Sequence, residues 1–200
     1  MRKFLLVITL FLALLASCKR TNESKELFNH ACTLFQNADI VEWMNNSPEK
    51  DIAINEFDKV IEMEPKWWAS YNQKIQILKI GSYQNCAENV KSVYELWLNN
   101  NGTLDGFQKF SYACSLYCSG NESQSLRIFS ELGDSYSKKD LNDEEKIIYI
   151  FSEIILGNVT KSDLKTFVLE LFEESMVQNI EDFYNLYNNN NPKEALWMYV

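Results

Sequence analysis

The stretch DIAINEFDKVIEMEPKWWASY, residues 51–71, predicts two helices joined by a turn. Ala53, Phe57 and Val60 follow one another at helical intervals, which places them on one face of the first helix. Pro65 cannot continue that helix, because proline lacks the amide hydrogen and its ring clashes with the preceding turn. Since a small residue such as Ala53 lets a second helix approach closely, we expect an antiparallel helix pair here.

Apolar residues at helical spacing continue along the chain from residue 23 onward. No stretch alternates apolar and polar residues with the period of two that is typical of strands. The predicted fold class is therefore all-α. The apolar stripes are Leu27, Ala31, Leu34, Phe35 and Ala38; Ile52, Phe57, Val60 and Ile61; and Ile75, Leu78, Val90, Val93 and Leu96.

Two later stretches repeat the layout of the first. They are GSYQNCAENVKSVYELW, residues 81–97, and SYACSLYCSGNESQSLRIFSEL, residues 111–132. Small residues take equivalent positions, since Cys86 follows Ala53 by 33 residues and Ser125 follows Cys86 by 39. The longer second interval predicts an insertion in the Asn- and Gly-rich stretch between them.

This pattern resembles the tetratricopeptide repeat family. Its repeat is a helix pair of about 34 residues with small residues at the helix contact, a later aromatic residue and a closing proline. Residues 49–68 match best, with Ala53, Phe57 and Pro65 at the expected intervals. The later repeats lack the proline, and the consensus Trp-Leu-Gly opening is degraded throughout. The resemblance covers residues 24–132.

The resemblance implies a right-handed superhelix of antiparallel helix pairs, an α-solenoid with an extended concave surface. We assign residues 24–200 to this helical-repeat domain. Its later part would comprise a pair within residues 147–172 and a final pair from Ile180 onward, where Pro192 begins the last helix.

The first residues have the layout of a secretory signal. Arg2 and Lys3 precede an apolar run from Phe4 to Ala16, which is interrupted only by Thr9. A membrane-spanning helix needs about 20 apolar residues, and this run is shorter. We therefore expect a signal peptide rather than an anchoring helix.

Leu15-Ala16-Ser17-Cys18 resembles the lipobox of bacterial lipoproteins. The resemblance implies that residues 1–17 are removed and that the Cys18 thiol carries a diacylglyceryl group. Residues 18–23 would then be a lipidated N-terminus and short tether. Lys19 stands where aspartate often retains such proteins in the inner membrane, so we expect the outer membrane of the cell envelope. The alternative is an uncleaved or soluble secreted form.

The chain is acidic, with 19 basic and 28 acidic side chains and a net charge of −9. Loss of Arg2 and Lys3 with the signal peptide leaves 17 basic side chains and a net charge of −11. Such a surface repels nucleic-acid phosphates, so we expect no nucleic-acid partner. It favours a partner that has a basic segment.

Four cysteines follow Cys18, namely Cys32, Cys86, Cys114 and Cys118. An exported protein can form disulfides, and four cysteines allow three complete pairings. Cys114 and Cys118 lie four apart on one predicted helix face, which is a poor geometry for bridging to each other. We predict that the cysteines are small buried hydrophobes.

Catalytic and metal sites are not favoured by the sequence. His30 is the only histidine and has only Cys32 beside it, so neither a zinc site nor a nucleophile with a histidine base is expected elsewhere. Glu144-Glu145 and Glu173-Glu174 are adjacent pairs that point in different directions on a helix. We predict solvated carboxylates, no enzyme activity and no cofactor.

Trp67 and Trp68 supply more aromatic area than one helix start needs. We predict that one ring packs between repeats and the other contacts a partner, the alternative being that both are structural. Tyr71, Tyr112 and Tyr117 are predicted neighbours on the same groove.

The function predicted from the sequence is a lipid-anchored, non-catalytic scaffold that binds a protein or peptide in the bacterial cell envelope. The alternative is a small-ligand or glycan-binding accessory lipoprotein of an uptake system, which would use exposed tryptophans as a platform. The sequence does not specify the oligomeric state.

Overall fold

The computed structural model describes residues 22–44, 47–137, 140–189 and 191–200. Within these ranges the chain forms helices and turns and no strand, which confirms the all-α prediction. The predicted signal peptide and Cys18 lie outside the described residues. The helices are α1 (residues 22–36), α2 (Ile40–Met44), α3 (Pro48–Met63), α4 (Trp68–Leu78), α5 (Tyr83–Asn99), α6 (Gly106–Cys118), α7 (Glu122–Tyr136), α8 (Asp143–Ile155), α9 (Lys161–Leu169), a 3₁₀ turn (Glu174–Met176), α10 (Val177–Asn188) and α11 (Pro192–Trp197).

Local signals define several helix ends. Pro48 occupies the first turn of α3, where an amide hydrogen would have no partner within the helix. The Ser47 hydroxyl caps this helix by accepting a hydrogen bond from the Lys50 amide. Pro65 lies in the turn between α3 and α4, as predicted. Asp105 forms a capping box at the start of α6. None of the helices described is long and apolar enough to cross a membrane.

The described chain divides into two compact units. The first comprises the described residues up to 80 together with residues 95–102. The second comprises residues 81–94 and the described part of 103–200.

The core of the first unit is built where α3 packs against α4. Ala31, Trp43, Ala53, Phe57 and Ile77 form one buried cluster. Since Ala53 and Phe57 are completely buried, the sequence-based placement of both on the inner face of this helix pair is confirmed.

Replacing Ala53 with phenylalanine is expected to lower the free energy of unfolding by about 1–3 kcal/mol, because Ala53 is completely buried and a ring would overpack the cluster. Asn55 is exposed on the same helix and provides the control. Asn55→Phe should change stability by no more than about 0.5 kcal/mol. Urea denaturation followed by circular dichroism measures both. Equal stability of the two variants would show that Ala53 is not at a helix contact.

Lys50 is a buried lysine in the first unit, with only 7% of its surface exposed. Its Nζ donates to the carbonyl oxygens of Trp43, at 3.1 Å, and Ile80, at 3.0 Å. The carbonyl groups at a helix C-terminus have no partner within the helix. Lys50 therefore joins the last turn of α2 to the residues that follow α4.

The second unit is organised around α6, which packs against α7, α8 and α11. Phe110 of α6 is 2% exposed, and its ring lies 5.4 Å from that of Phe129 and 6.2 Å from that of Phe151. The Ser125 hydroxyl of α7 donates to the Ala113 carbonyl of α6 at 2.7 Å. Ser125 thus lies at a close helix contact, as predicted.

Contacts between residues that are distant in sequence complete the packing of this unit. The Ser111 hydroxyl of α6 donates to the Tyr199 carbonyl at 2.9 Å, and α11 packs against both α6 and α10. In a simple solenoid each repeat contacts only its sequence neighbours. The contact of α11 with α6 therefore differs from nearest-neighbour stacking, and the superhelical arrangement stays a prediction.

Candidate functional site

Trp67 and Trp68 lie at the start of α4, as predicted, with Trp67 in the N-cap position. The Trp67 ring packs against Phe28 at 4.4 Å between centroids. The Trp68 ring lies 5.2 Å from Trp97 and is nearly parallel to Tyr71 at 6.3 Å. Both indoles are half-buried, so each has a packing role and keeps some accessible surface.

Tyr71 is completely buried, so its ring presents no surface to a partner. Its hydroxyl donates to the Pro65 carbonyl at 2.9 Å and accepts from the Asn100 side-chain amide at 2.8 Å. Burial raises the pKa of this phenol, and the Asn100 hydrogen bond partly opposes the shift. Tyr71 is therefore a structural residue of the first unit rather than part of an open groove.

Tyr112 and Tyr117 belong to the second unit. Tyr112 is only 6% exposed and packs 5.5 Å from the Tyr94 ring, so it is a core residue rather than a surface residue. Tyr117 is half-buried beside Tyr187, at 6.5 Å between ring centroids. Of the five predicted partner-binding residues, Trp67, Trp68 and Tyr117 keep accessible surface.

The second unit contains an apolar cavity that the sequence did not predict. Its volume is about 440 Å³, and it is partly open to solvent. Three aromatic rings line it: Phe151 and Phe183 are stacked at 4.1 Å, and Tyr199 lies 4.8 Å from Phe151. Aliphatic side chains complete the apolar wall, including Ile147, Met176, Ile180 and Met198.

Four segments supply the cavity lining, and one of them is the 3₁₀ turn, through Met176. Ile147 and Phe151 lie one turn apart on α8, and Ile180 and Phe183 share the inner face of α10. Met198, which follows α11, is 68% exposed at the cavity. An exposed methionine beside buried aromatic rings is an adaptable apolar contact for a ligand.

A second depression adjoins the apolar cavity and shares Ile147 and Met176 with it. Its volume is about 730 Å³. Asp143, Glu170 and Glu173 line it, and Lys146 is the one cation among its lining residues. The apolar cavity and this acidic depression together form the double pocket.

Lys146 is already engaged within the double pocket. Its Nζ lies 3.2 Å from Asp143 Oδ1 and 5.4 Å from the centroid of the Phe172 ring. In the described part of the chain, neither Glu170 nor Glu173 forms an ion pair. The depression is therefore acidic overall.

The described histidine and cysteine side chains lie outside the double pocket. His30 is exposed on α1 and lies 2.9 Å from Glu56. The described residues contain no group of three or more His, Cys, Asp or Glu side chains that could hold a metal ion. Cys32, Cys86, Cys114 and Cys118 form no disulfide with one another, and Cys32 and Cys86 are only half-buried.

Burial keeps the two cysteines of α6 in the thiol form. It raises the pKa of Cys118 to about 12, an effect that the nearby Lys193 partly lowers. Burial also raises the pKa of Cys114, which is completely enclosed. Because the thiolate is the nucleophile, neither side chain is activated for chemistry.

Alkaline pH is expected to destabilise the fold through Cys118. Its pKa is 9.0 in the reference state and about 12 when folded, so the unfolded chain loses this proton first. The stability contribution is complete below pH 9 and is lost as the pH rises towards 12. Urea denaturation at about pH 8 and about pH 10.5 should show a larger decline for wild type than for Cys118→Ala. Equal declines would contradict the assignment.

We compared the chain with models of known protein families, with curated proteins and with solved structures. It matches none of them.

Proposed function

We propose that this protein is a lipid-anchored, non-catalytic protein of the bacterial cell envelope that binds a protein or peptide partner. The observation that supports this most is the apolar cavity beside Met198. Its volume falls in the range of about 300–1,000 Å³ that is usual for ligand pockets. Aromatic-lined pockets commonly receive the apolar anchor of a partner, and a few such anchors supply most binding energy.

The helix pairs support a repeat scaffold as the framework for this binding. The α3–α4 and α6–α7 pairs both pack through small buried residues, Ala53 in the first and Ser125 in the second. Packing of this kind suits a tetratricopeptide-like α-solenoid. The lipobox-like sequence ending at Cys18 supports the location, which would be the outer membrane.

The alternative function is binding of a small ligand or glycan as an accessory to an uptake system. The half-buried rings of Trp67 and Trp68 favour this alternative, because indole faces form platforms for sugars and other flat ligands. The apolar lining beside Met198 favours a peptide side chain over a polar sugar.

Selection of ligands by the mature lipidated protein, held in detergent, separates the two functions. A displayed library of random peptides and a glycan array would be probed with the same preparation. We expect enrichment of peptides and no saturable glycan binding. Saturable glycan binding without peptide enrichment would favour the accessory function and contradict the proposal.

A substitution at Met198 tests whether the cavity is the binding site. Met198→Gln keeps the length and neutrality of an exposed side chain but places an amide against the anchor. An uncompensated polar group costs about 1–3 kcal/mol, so peptide affinity should fall about tenfold. Leu126→Gln, at an exposed position on α7, is the matched control. Loss of binding in both variants, or in neither, would show that the cavity is not the site.

A further inference from the structure

We propose that the double pocket recognises a peptide segment in which an apolar anchor is followed or preceded, within a few residues, by a lysine or arginine. The apolar cavity takes the anchor, and the acidic depression takes the cation. This inference rests on the proposed peptide-binding function and specifies the partner's chemistry.

The two parts of the double pocket adjoin. Ile147 of α8 and Met176 of the 3₁₀ turn line both. We therefore expect a single bound segment to occupy both parts. An extended chain advances about 3.3–3.6 Å per residue, so the anchor and the cation are close in its sequence.

The charges of the double pocket favour a positively charged partner segment. Asp143, Glu170 and Glu173 line the depression, and Asp182 lines the apolar cavity. Lys146 is the one cationic side chain in the lining of the double pocket, and it is paired with Asp143. The excess of negative charge opposes an acidic segment and attracts a basic one.

The lining of the depression suits a long basic side chain. Leu171 and Phe172 line it together with Glu170 and Glu173, so apolar surface and carboxylates belong to the same depression. Lysine and arginine bury their methylene stems against such surface while the charged end stays in water. Arginine also pairs with carboxylates through two parallel hydrogen bonds. A neutral polar side chain gains neither contact.

The first test is a comparison of two selections from one random peptide library. One selection uses the mature lipidated protein, and the other uses its Glu170→Gln/Glu173→Gln variant. Both glutamates are exposed, so the variant should fold normally. We expect wild type to enrich peptides with an apolar residue near lysine or arginine. The variant should keep the apolar preference and lose the basic one.

The second test measures affinity with one enriched peptide and its uncharged form, in which citrulline replaces arginine or acetyl-lysine replaces lysine. At low salt, Glu170→Gln/Glu173→Gln should weaken binding of the charged peptide about tenfold, and the loss should shrink at high salt. Binding of the uncharged peptide should change little. Glu122→Gln/Glu131→Gln removes two exposed carboxylates of the same unit and is the matched control.

The possible failures are distinguishable. Enrichment of apolar peptides without basic residues, or equal affinity of wild type and Glu170→Gln/Glu173→Gln, would overturn the basic preference and leave peptide binding in place. Equal weakening by the control variant would show that only the overall charge matters, which also overturns the assignment to this pocket. If no peptide is enriched, the proposed function and this inference both fail.

Discussion

Phe110→Ala is expected to lower the free energy of unfolding by about 3–5 kcal/mol, the usual cost of removing a core phenylalanine. Phe110 lies on α6, which packs against three other helices of the second unit. Its ring contacts Phe129 and Phe151 and lies 6.3 Å from Tyr199. Removal would take one packing partner from each of these three rings, and the surrounding side chains would relax only partly into the cavity.

Phe107 provides a control on the same helix, because 47% of its surface is exposed. Phe107→Ala removes the same atoms but should change stability by no more than about 0.5 kcal/mol. Urea denaturation followed by circular dichroism, with comparison of the denaturant slopes, measures both variants. A loss below about 1 kcal/mol for Phe110→Ala would contradict the central position of α6 in this unit.

Cys18→Ser is expected to abolish lipid attachment entirely. Serine has no thiol to form the thioether, and the variant would lose the acyl chains, each CH₂ of which contributes about 0.8 kcal/mol when it enters the membrane. Cells fed an alkyne-labelled fatty acid would yield labelled wild-type protein and unlabelled Cys18→Ser protein. Mass spectrometry of the wild type should find an acylated Cys18 as its first residue.

Cys32→Ser is the matched control for lipid attachment. Cys32 is a free thiol on α1, and its replacement should leave fatty-acid labelling unchanged. Equal labelling of Cys18→Ser and wild type would contradict the proposal of a lipoprotein, as would a mature protein that begins at Met1.

The sequence predicted those parts of the fold that depend on neighbouring residues. The spacing of Ala53, Phe57 and Pro65 predicted the α3–α4 pair, because periodicity and the missing proline amide act within a few turns. Packing between segments distant in sequence could not be predicted from such local signals. The contact of Tyr199 with α6 joins residues 88 apart in sequence, and no local signal marks it.

The aromatic residues show why site prediction from sequence was only partly successful. The pattern located Trp67 and Trp68 at a helix start but could not determine which rings are enclosed. Tyr71 is covered through contacts with Trp97 and Asn100, which follow it by more than twenty residues. Tyr112 is covered by Tyr94 from another helix. Burial of these rings depends on tertiary packing.

The double pocket could not be predicted from the sequence, because it also depends on tertiary packing. Periodicity predicted the helices that contain Ile147 and Ile180. The cavity depends on how α8, α10 and the residues after α11 pack together, and periodicity does not report on that packing. The net charge favours a partner with a basic segment, which stays a prediction. It could not show that Glu170 and Glu173 adjoin an apolar cavity.

The most direct test of the central claim, that the cavity in the second unit binds a peptide, uses methyl nuclear magnetic resonance. Met176 and Met198 line the cavity, whereas Met44 and Met63 belong to the first unit. An enriched peptide would be added to mature protein carrying ¹³C-labelled methionine methyl groups. We predict saturable shifts of the Met176 and Met198 signals with the other two unchanged. Shifts confined to Met44 and Met63, or no shift under conditions where the peptide binds, would contradict the claim.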